Sequence, residues 1–211
     1  MVNKHVTGPH AEARPEHINS HKMAHMVGVA EYMRCRAEDY GLDKDIAYML
    51  GLMHDIGFLY GQPGHEEKGM ELLNRFGAKS LLVHAVHYHG VNPYHCSKKN
   101  LKKCGYNVDK LRQCGEVPYE EISKDFKNNP YLTLLYEADV RVDANGNACG
   151  FRKRLEDIKN RLGEDSAPAK SVKRITDYVF EYCRDKGIAE PPSMKEMEKR
   201  HREVSELLRY K

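Results

Sequence analysis

Histidine and aspartate stand side by side at positions 54 and 55, near the end of the run LDKDIAYMLGLMHDIGFLYG. An imidazole and a carboxylate are both ligands for a transition-metal ion, and both are costly to bury unpaired. Successive side chains on a helix diverge by about 100°. An ion shared by the two would therefore lie beside the helix and need further ligands from other elements. The dipeptide alone is not diagnostic. In a chain with 12 histidines, composition yields roughly one such neighbour pair by chance. The elements that could present further ligands decide the matter.

The run itself reads as a helix with a buried face formed by Ile46, Met49, Leu50 and Met53 at three- and four-residue spacing. Asp43 is its expected N-cap and Gly57 its expected C-terminal glycine. An earlier helix is predicted over 19–40, with Met26, Ala30, Met33, Ala37 and Tyr40 as its stripe. His21 and His25 share a face of that helix with Val29 and Tyr32, and either reads equally as a solvated histidine near a helix start. After a loop punctuated by glycine and proline, His65 opens HEEKGMELLNRFG. Leu72, Leu73 and Phe76 form the core side there, and Gly69 permits close approach of a neighbour. Glu66 and Glu67 suit the helix dipole and read as solvated. In AKSLLVHAVHYHG, His89 shares a face with Leu82, Ala85 and Val86, whereas His84 and His87 fall on its flank. Asp139 follows Leu132 and Leu135 on an apolar stripe, where a carboxylate must be paired, protonated or metal-bound. Asp143, one turn on, reads as a second acid or as a solvated one.

These elements belong to a chain of 211 residues with net charge +3. That length supports one sizeable core, and the charge is too mild to imply nucleic acid. No apolar run is long enough for a membrane span, and the N-terminus lacks a secretory leader. The six cysteines show no CxxC pair and read as reduced thiols of a cytoplasmic protein. Strand signals are almost absent, so the expected fold is all-α: a single helical bundle over 18–190. A flexible lead-in is expected at 1–17 and a polar insertion around 91–130. A last helix is expected over 191–211, docking on the domain or on a second subunit in a homodimer. The insertion carries His95, Cys96, Cys104 and Cys114, whose spacing fits no zinc module. It also carries a lysine cluster that reads as a lid meeting substrate phosphate or as a solvated loop.

Taken together, these motifs resemble the HD-domain metal-dependent phosphohydrolases. HMVGVAEYM is similar to the family's first histidine element and matches it at His25, with His21 as the alternate. LMHDIG resembles the signature with His54 and Asp55, and LYEADVRVD the final aspartate element with Asp139. GHEEKGMELL and AVHYH resemble the elements that supply His65 and His89 in members holding two metals or gripping phosphate. No GYP element is visible, which disfavours a cyclic dinucleotide. The resemblance implies a metal site of His25, His54, Asp55 and Asp139, with His54 and Asp55 catalytic. His65 and His89 would hold a second metal or phosphate. One or two ions of Fe, Mn, Co, Ni or Zn are expected from mixed imidazole and carboxylate ligation. Lys68, Arg75, Lys98 and Lys102 are candidate phosphate contacts. The implied activity is hydrolysis of a nucleotide or related phosphoester by a metal-activated water. A di-iron oxygenase of the same superfamily and a metal-holding nucleotide-binding module without turnover are the alternatives.

Overall fold

A computed structural model describes residues 13–61, 64–90 and 129–209. Lys98, Lys102 and the other insertion residues expected to form a lid lie outside that set, as do His95, Cys96, Cys104 and Cys114. Among the described residues the fold is all-α. Its helices are α1 (Ser20–Arg36), α2 (Lys44–Met53), α3 (His65–Arg75), α4 (Ser80–Tyr88), α5 (Pro130–Asp139), α6 (Phe151–Leu162), α7 (Ala167–Lys186) and α8 (Met194–Arg209). Short 3-10 turns lie at Pro15–His17, Ala37–Tyr40 and Ile56–Tyr60. No described helix is long and apolar enough to cross a membrane.

The sequence explains how α1 and α2 begin. The Asn19 side chain accepts a hydrogen bond from Lys22 N, and Asp43 accepts from the backbone of Asp45 and Ile46. Each satisfies amides that the helix leaves free. The predicted 19–40 helix changes to a 3-10 turn at Ala37 and closes on Gly41, whose φ of 66° is left-handed. Its stripe of Met26, Ala30, Met33, Ala37 and Tyr40 is buried throughout.

Helix α5 is the central element. It is buried from Leu132 to Ala138 and packs against α1, α4 and α7. Its cap is buried too: Asn129 accepts from Leu132 N and donates through Nδ2 to Leu81 O at 2.9 Å, which ties α5 to α4. The core continues through Val172, Ile175 and Val179 of α7 to Met197 of α8. Each buried aliphatic side chain of this kind contributes roughly 1.5–3 kcal/mol. The last helix docks on α1.

One polar network crosses this core. The Glu137 carboxylate, fully buried, accepts from Tyr32 Oη (2.7 Å), Tyr40 Oη (2.7 Å) and Arg36 Nε (3.0 Å). Arg36 also donates to Asp39 and to Ala189 O, and Asp39 pairs with Arg200 of α8. Arg141 donates to Pro192 O at 2.7 Å. The segment before α8 is thus fastened to both ends of the Glu137–Arg141 stretch.

Several expectations need correction. Met49 is 55% exposed and Phe76 74% exposed. The buried face of α2 is rotated to Ala47, Leu50 and Gly51, because Gly51 packs against α1: a Cβ there would sit 2.5 Å from Ala30 Cα. Phe76 follows the end of α3 and turns outward. Gly57 does not cap α2, which ends at Met53. It lies in the next 3-10 turn, where a Cβ would fall 1.7 Å from His65 O, so only glycine lets α3 come this close. His87 is buried rather than on the flank, and burial takes its pKa down to about 4. The end of the expected flexible lead-in is pinned, since Arg14 N donates to Leu59 O at 2.7 Å.

Candidate metal centre

The two glycine contacts bring α1, α2, the 3-10 turn and α3 together, and α4 and α5 close the space between them. Four imidazoles form a row there. The ring centroids lie 5.5 Å apart for His25 and His54, 5.2 Å for His54 and His89, and 5.5 Å for His89 and His65.

Three of these rings are held in one way. Nδ1 of His25 donates to Asp143 O (3.1 Å), Nδ1 of His54 to Gly51 O (2.7 Å) and Nδ1 of His89 to Val86 O (2.6 Å). A carbonyl only accepts, so Nδ1 carries the proton and Nε2 is the nitrogen turned to the site. His65 is held by a carboxylate instead, with Nδ1 3.2 Å from Glu66 Oε2, and its ring stacks on Phe58 at 3.9 Å. Glu66 is therefore a partner of the site, not a solvated residue.

The acids lie among these nitrogens. Asp139 Oδ1 accepts from His25 Nε2 at 2.9 Å. Asp55 Oδ1 is 3.1 Å from His89 Nε2 and 3.2 Å from His65 Nε2, and its Oδ2 is 3.5 Å from His54 Nε2. His54 Nε2 is buried and makes no hydrogen bond, a costly state for a polar atom.

The charges follow from this packing. Burial alone would raise the Asp55 pKa, but the charge of His54 and the bonds from His65 and His89 hold it well below the usual carboxylate range. Asp139 is likewise held low against burial by the bond from His25 and its charge. Burial pulls the His89 pKa down, yet its bond to Asp55 and the charge of Asp55 carry it up to about 9. His25 is raised in the same way by Asp139, again against burial. His54 is lowered, chiefly by burial.

Two sets of ligand atoms can each hold a metal ion: His25, His54 and Asp139, and His54, Asp55 and His89. Within each set the atoms lie within 4.8 Å of one another. Ligands each about 2 Å from an ion stand at most about 4 Å apart, so little closure is needed. His54 belongs to both sets.

Residues 23–102 match the family model described as HD domain. That stretch of the chain is similar to an HD domain. His25, His54, Asp55, His65 and His89 all fall inside the matched stretch, and Asp139 lies beyond it. Part of the chain is also similar to Ribonuclease Y from Sulfurovum sp. (strain NBC37-1), at 34% identity over 70 residues. That match covers 32% of this chain and 14% of the relative, so the chain spans only a small part of its length. No solved structure matches the chain.

Around these histidines, other sequence candidates separate. His21 is exposed and lies beside Asn145 Oδ1 at 3.2 Å, away from the ligand sets. Asp143 neither joins a ligand set nor stands solvated. Its Oδ1 accepts from the backbone of Asn145 and Asn147 and shapes the turn whose carbonyl holds His25. Lys68 pairs with Glu71 at 3.0 Å one turn beyond His65. Arg75 is exposed at the far end of α3, ten residues and about 15 Å along the axis from His65, and is not brought to the site. Lys22, unforeseen from the sequence, sits with Nζ 3.6 Å above the Phe58 ring.

Proposed function

We propose that the chain is a metal-dependent phosphohydrolase acting on a nucleotide or related phosphoester. One observation carries the reading: the convergence of Nε2 atoms from rings pinned through Nδ1, with His54 Nε2 left unbonded between two low-pKa carboxylates. Buried donors arranged in this way fit a cation and little else.

His25, His54, Asp55 and Asp139 would hold the first ion, and Asp55, His89 and His65 a second. Mixed nitrogen and oxygen ligation favours Fe, Mn, Co, Ni or Zn. Bound there, such an ion would lower the pKa of a water to near neutrality and draw charge from a phosphoryl oxygen. Asp55 and Asp139, ionised throughout the neutral range, offset the ion's charge. The carbonyls of Gly51, Val86 and Asp143 fix the ring orientations, so the site needs little reorganisation when loaded. His54 and Asp55, adjacent at the end of α2, position the reacting centre, and burial limits competing water.

The likeness to a protein named a ribonuclease adds RNA phosphodiesters to the candidate substrates. A screen of nucleoside mono-, di- and triphosphates and short RNA, each with Mn, Co, Ni, Fe and Mg, tests the reading. Metal-dependent hydrolysis of at least one is expected; none with any metal would contradict it. The sharing of His54 by two ligand sets favours one second reading, a di-iron oxygenase. Oxygen uptake by the reduced iron-loaded chain without phosphoester hydrolysis would select it.

A further inference from the structure

Beyond the ligands, a half-buried arginine on the element that follows Asp139 is not explained by the metal site. After Asp139 the chain folds back on itself: Val142 bridges to Ala148, Cys149 N donates to Arg141 O at 2.6 Å, and Asp143 N donates to Asn147 O at 2.9 Å. This turn starts α6 beside the end of α5. The first turn of α6 reads Phe-Arg-Lys-Arg and holds no acid, although a helix N-terminus favours negative charge. Arg152 is 93% exposed there, whereas the Arg154 side chain is only 13% exposed. Of the two arginines in this turn, Arg154 is the one turned inward.

Its partners do not satisfy it. Nη1 has one long contact, 3.4 Å to Asp157 Oδ2, and Asp157 is held more closely by Arg161 at 2.8 Å. Arg154 Nε is buried and makes no hydrogen bond among the described residues. Its positive charge is felt at both His25 and Asp139, as the smallest of the influences on each. A guanidinium placed there repels any cation held by those residues. The arrangement becomes favourable when an anion lies between the two and offsets both charges. The planar fork of arginine suits a pair of phosphate oxygens, which a lysine would meet as a point charge only.

We propose that Arg154 grips non-bridging oxygens of the substrate's phosphoryl group at the His25–Asp139 end of the site. The assignment rests on the phosphohydrolase reading and adds to it a residue that binds the substrate. Asp157 contacts the fork at Nη1, and the buried Nε is the donor left without a partner among the described residues.

The test uses the full chain, metal-free and Mn-loaded, with inorganic phosphate as the probe. Phosphate affinity is measured by titration calorimetry, manganese content by elemental analysis and folding by circular dichroism. Arg154→Gln is expected to weaken phosphate binding by roughly ten- to a hundredfold, the range for a lost charged hydrogen bond, without reducing manganese content. Arg154→Lys retains charge and fold and is expected to recover part of the loss. Arg152→Gln should bind phosphate like the wild type. Wild-type phosphate affinity in Arg154→Gln or in Arg154→Lys would overturn the assignment. So would an equal loss in Arg152→Gln, or a Mn-loaded wild type that binds no phosphate. A wild type that takes up no manganese counts instead against the metal reading; the metal-free titration then still decides whether Arg154 binds the anion.

Discussion

Helix α5 carries two acids, Glu137 and Asp139, whose surroundings differ in kind. Glu137 sits in a closed network: two tyrosine hydroxyls and one guanidinium donate to it, and all are buried. Asp139 sits in an open one. His25 Nε2 donates to it, but the neighbouring His54 Nε2 has no donor or acceptor of its own. In the first cluster each donor finds an acceptor within the protein. In the second, His25 and His89 pair with the two carboxylates, but His54 Nε2 lies buried beside them with no partner of its own, which is costly unless something cationic enters. Buried polarity by itself therefore does not mark a candidate site; here the mark is an unpaired ligand atom among several convergent imidazoles and carboxylates.

The largest expected effect tests the closed cluster. Glu137→Ala leaves the buried Arg36 charge without its main partner and should cost roughly 3–5 kcal/mol of stability, read from urea unfolding. Manganese bound per folded molecule should stay close to the wild-type value. A loss below about 1 kcal/mol would mean that the network is no more than a surface-strength ion pair.

The open cluster should respond in the opposite way. Asp55→Ala removes the carboxylate that three imidazoles face. Metal content should fall, and hydrolysis of any phosphoester found in the screen should drop on the order of 10²-fold or more. The metal-free variant should melt closer to the wild type than Glu137→Ala does. Full metal content and full turnover in Asp55→Ala would remove the main support for the hydrolase reading.

A smaller effect concerns pH. His89 is raised to about 9 in the folded metal-free chain, against about 6.5 when unfolded. Its contribution to stability is therefore fully present below about 6.5 and is lost as pH rises toward 9. His25 is raised as well and acts in the same direction. Thermal melts of the metal-free chain should fall by several degrees over this interval. Added manganese should reverse the fall, because ligation requires the deprotonated ring. Metal-free melts that rise from pH 6.5 to 9 would contradict the ionisation scheme.

The smallest effect is expected at His201. Its side chain is 54% exposed and only 3.9 Å from Glu31 Oε2, outside both clusters. His201→Ala should leave metal content and turnover nearly unchanged. A large loss would show that the comparison has drawn the site too narrowly.

Much of the site was legible in the sequence because its residues interrupt apolar stripes. His25 continues toward Val29 and Tyr32, His89 follows Val86, and Asp139 follows Leu132 and Leu135. Helical spacing fixes which residues share a face but not which face meets the core, so Met49 and Phe76 read as inward although both are exposed. The insideness of Glu137 was hidden for a related reason: α5 is buried nearly all round, and a one-stripe reading looks only at the Asp139 side. Glu66 reads as solvated and Arg154 carries no signal, because acids and bases at a helix start ordinarily point to water. Only the packing of α3 on the 3-10 turn, and the fold-back after Asp139, turns them inward. The isolated dipeptide His54–Asp55 carried little information until the other helices supplied its neighbours.

The central claim is that the open cluster is a metal centre. Anomalous diffraction from crystals of the full chain grown with manganese tests it most directly. The account predicts a peak about 2 Å from His54 Nε2, with His25 Nε2 and a carboxylate oxygen of Asp139 at similar distance. Saturating manganese that leaves no peak beside His54, or a peak bound only elsewhere on the molecule, would contradict it.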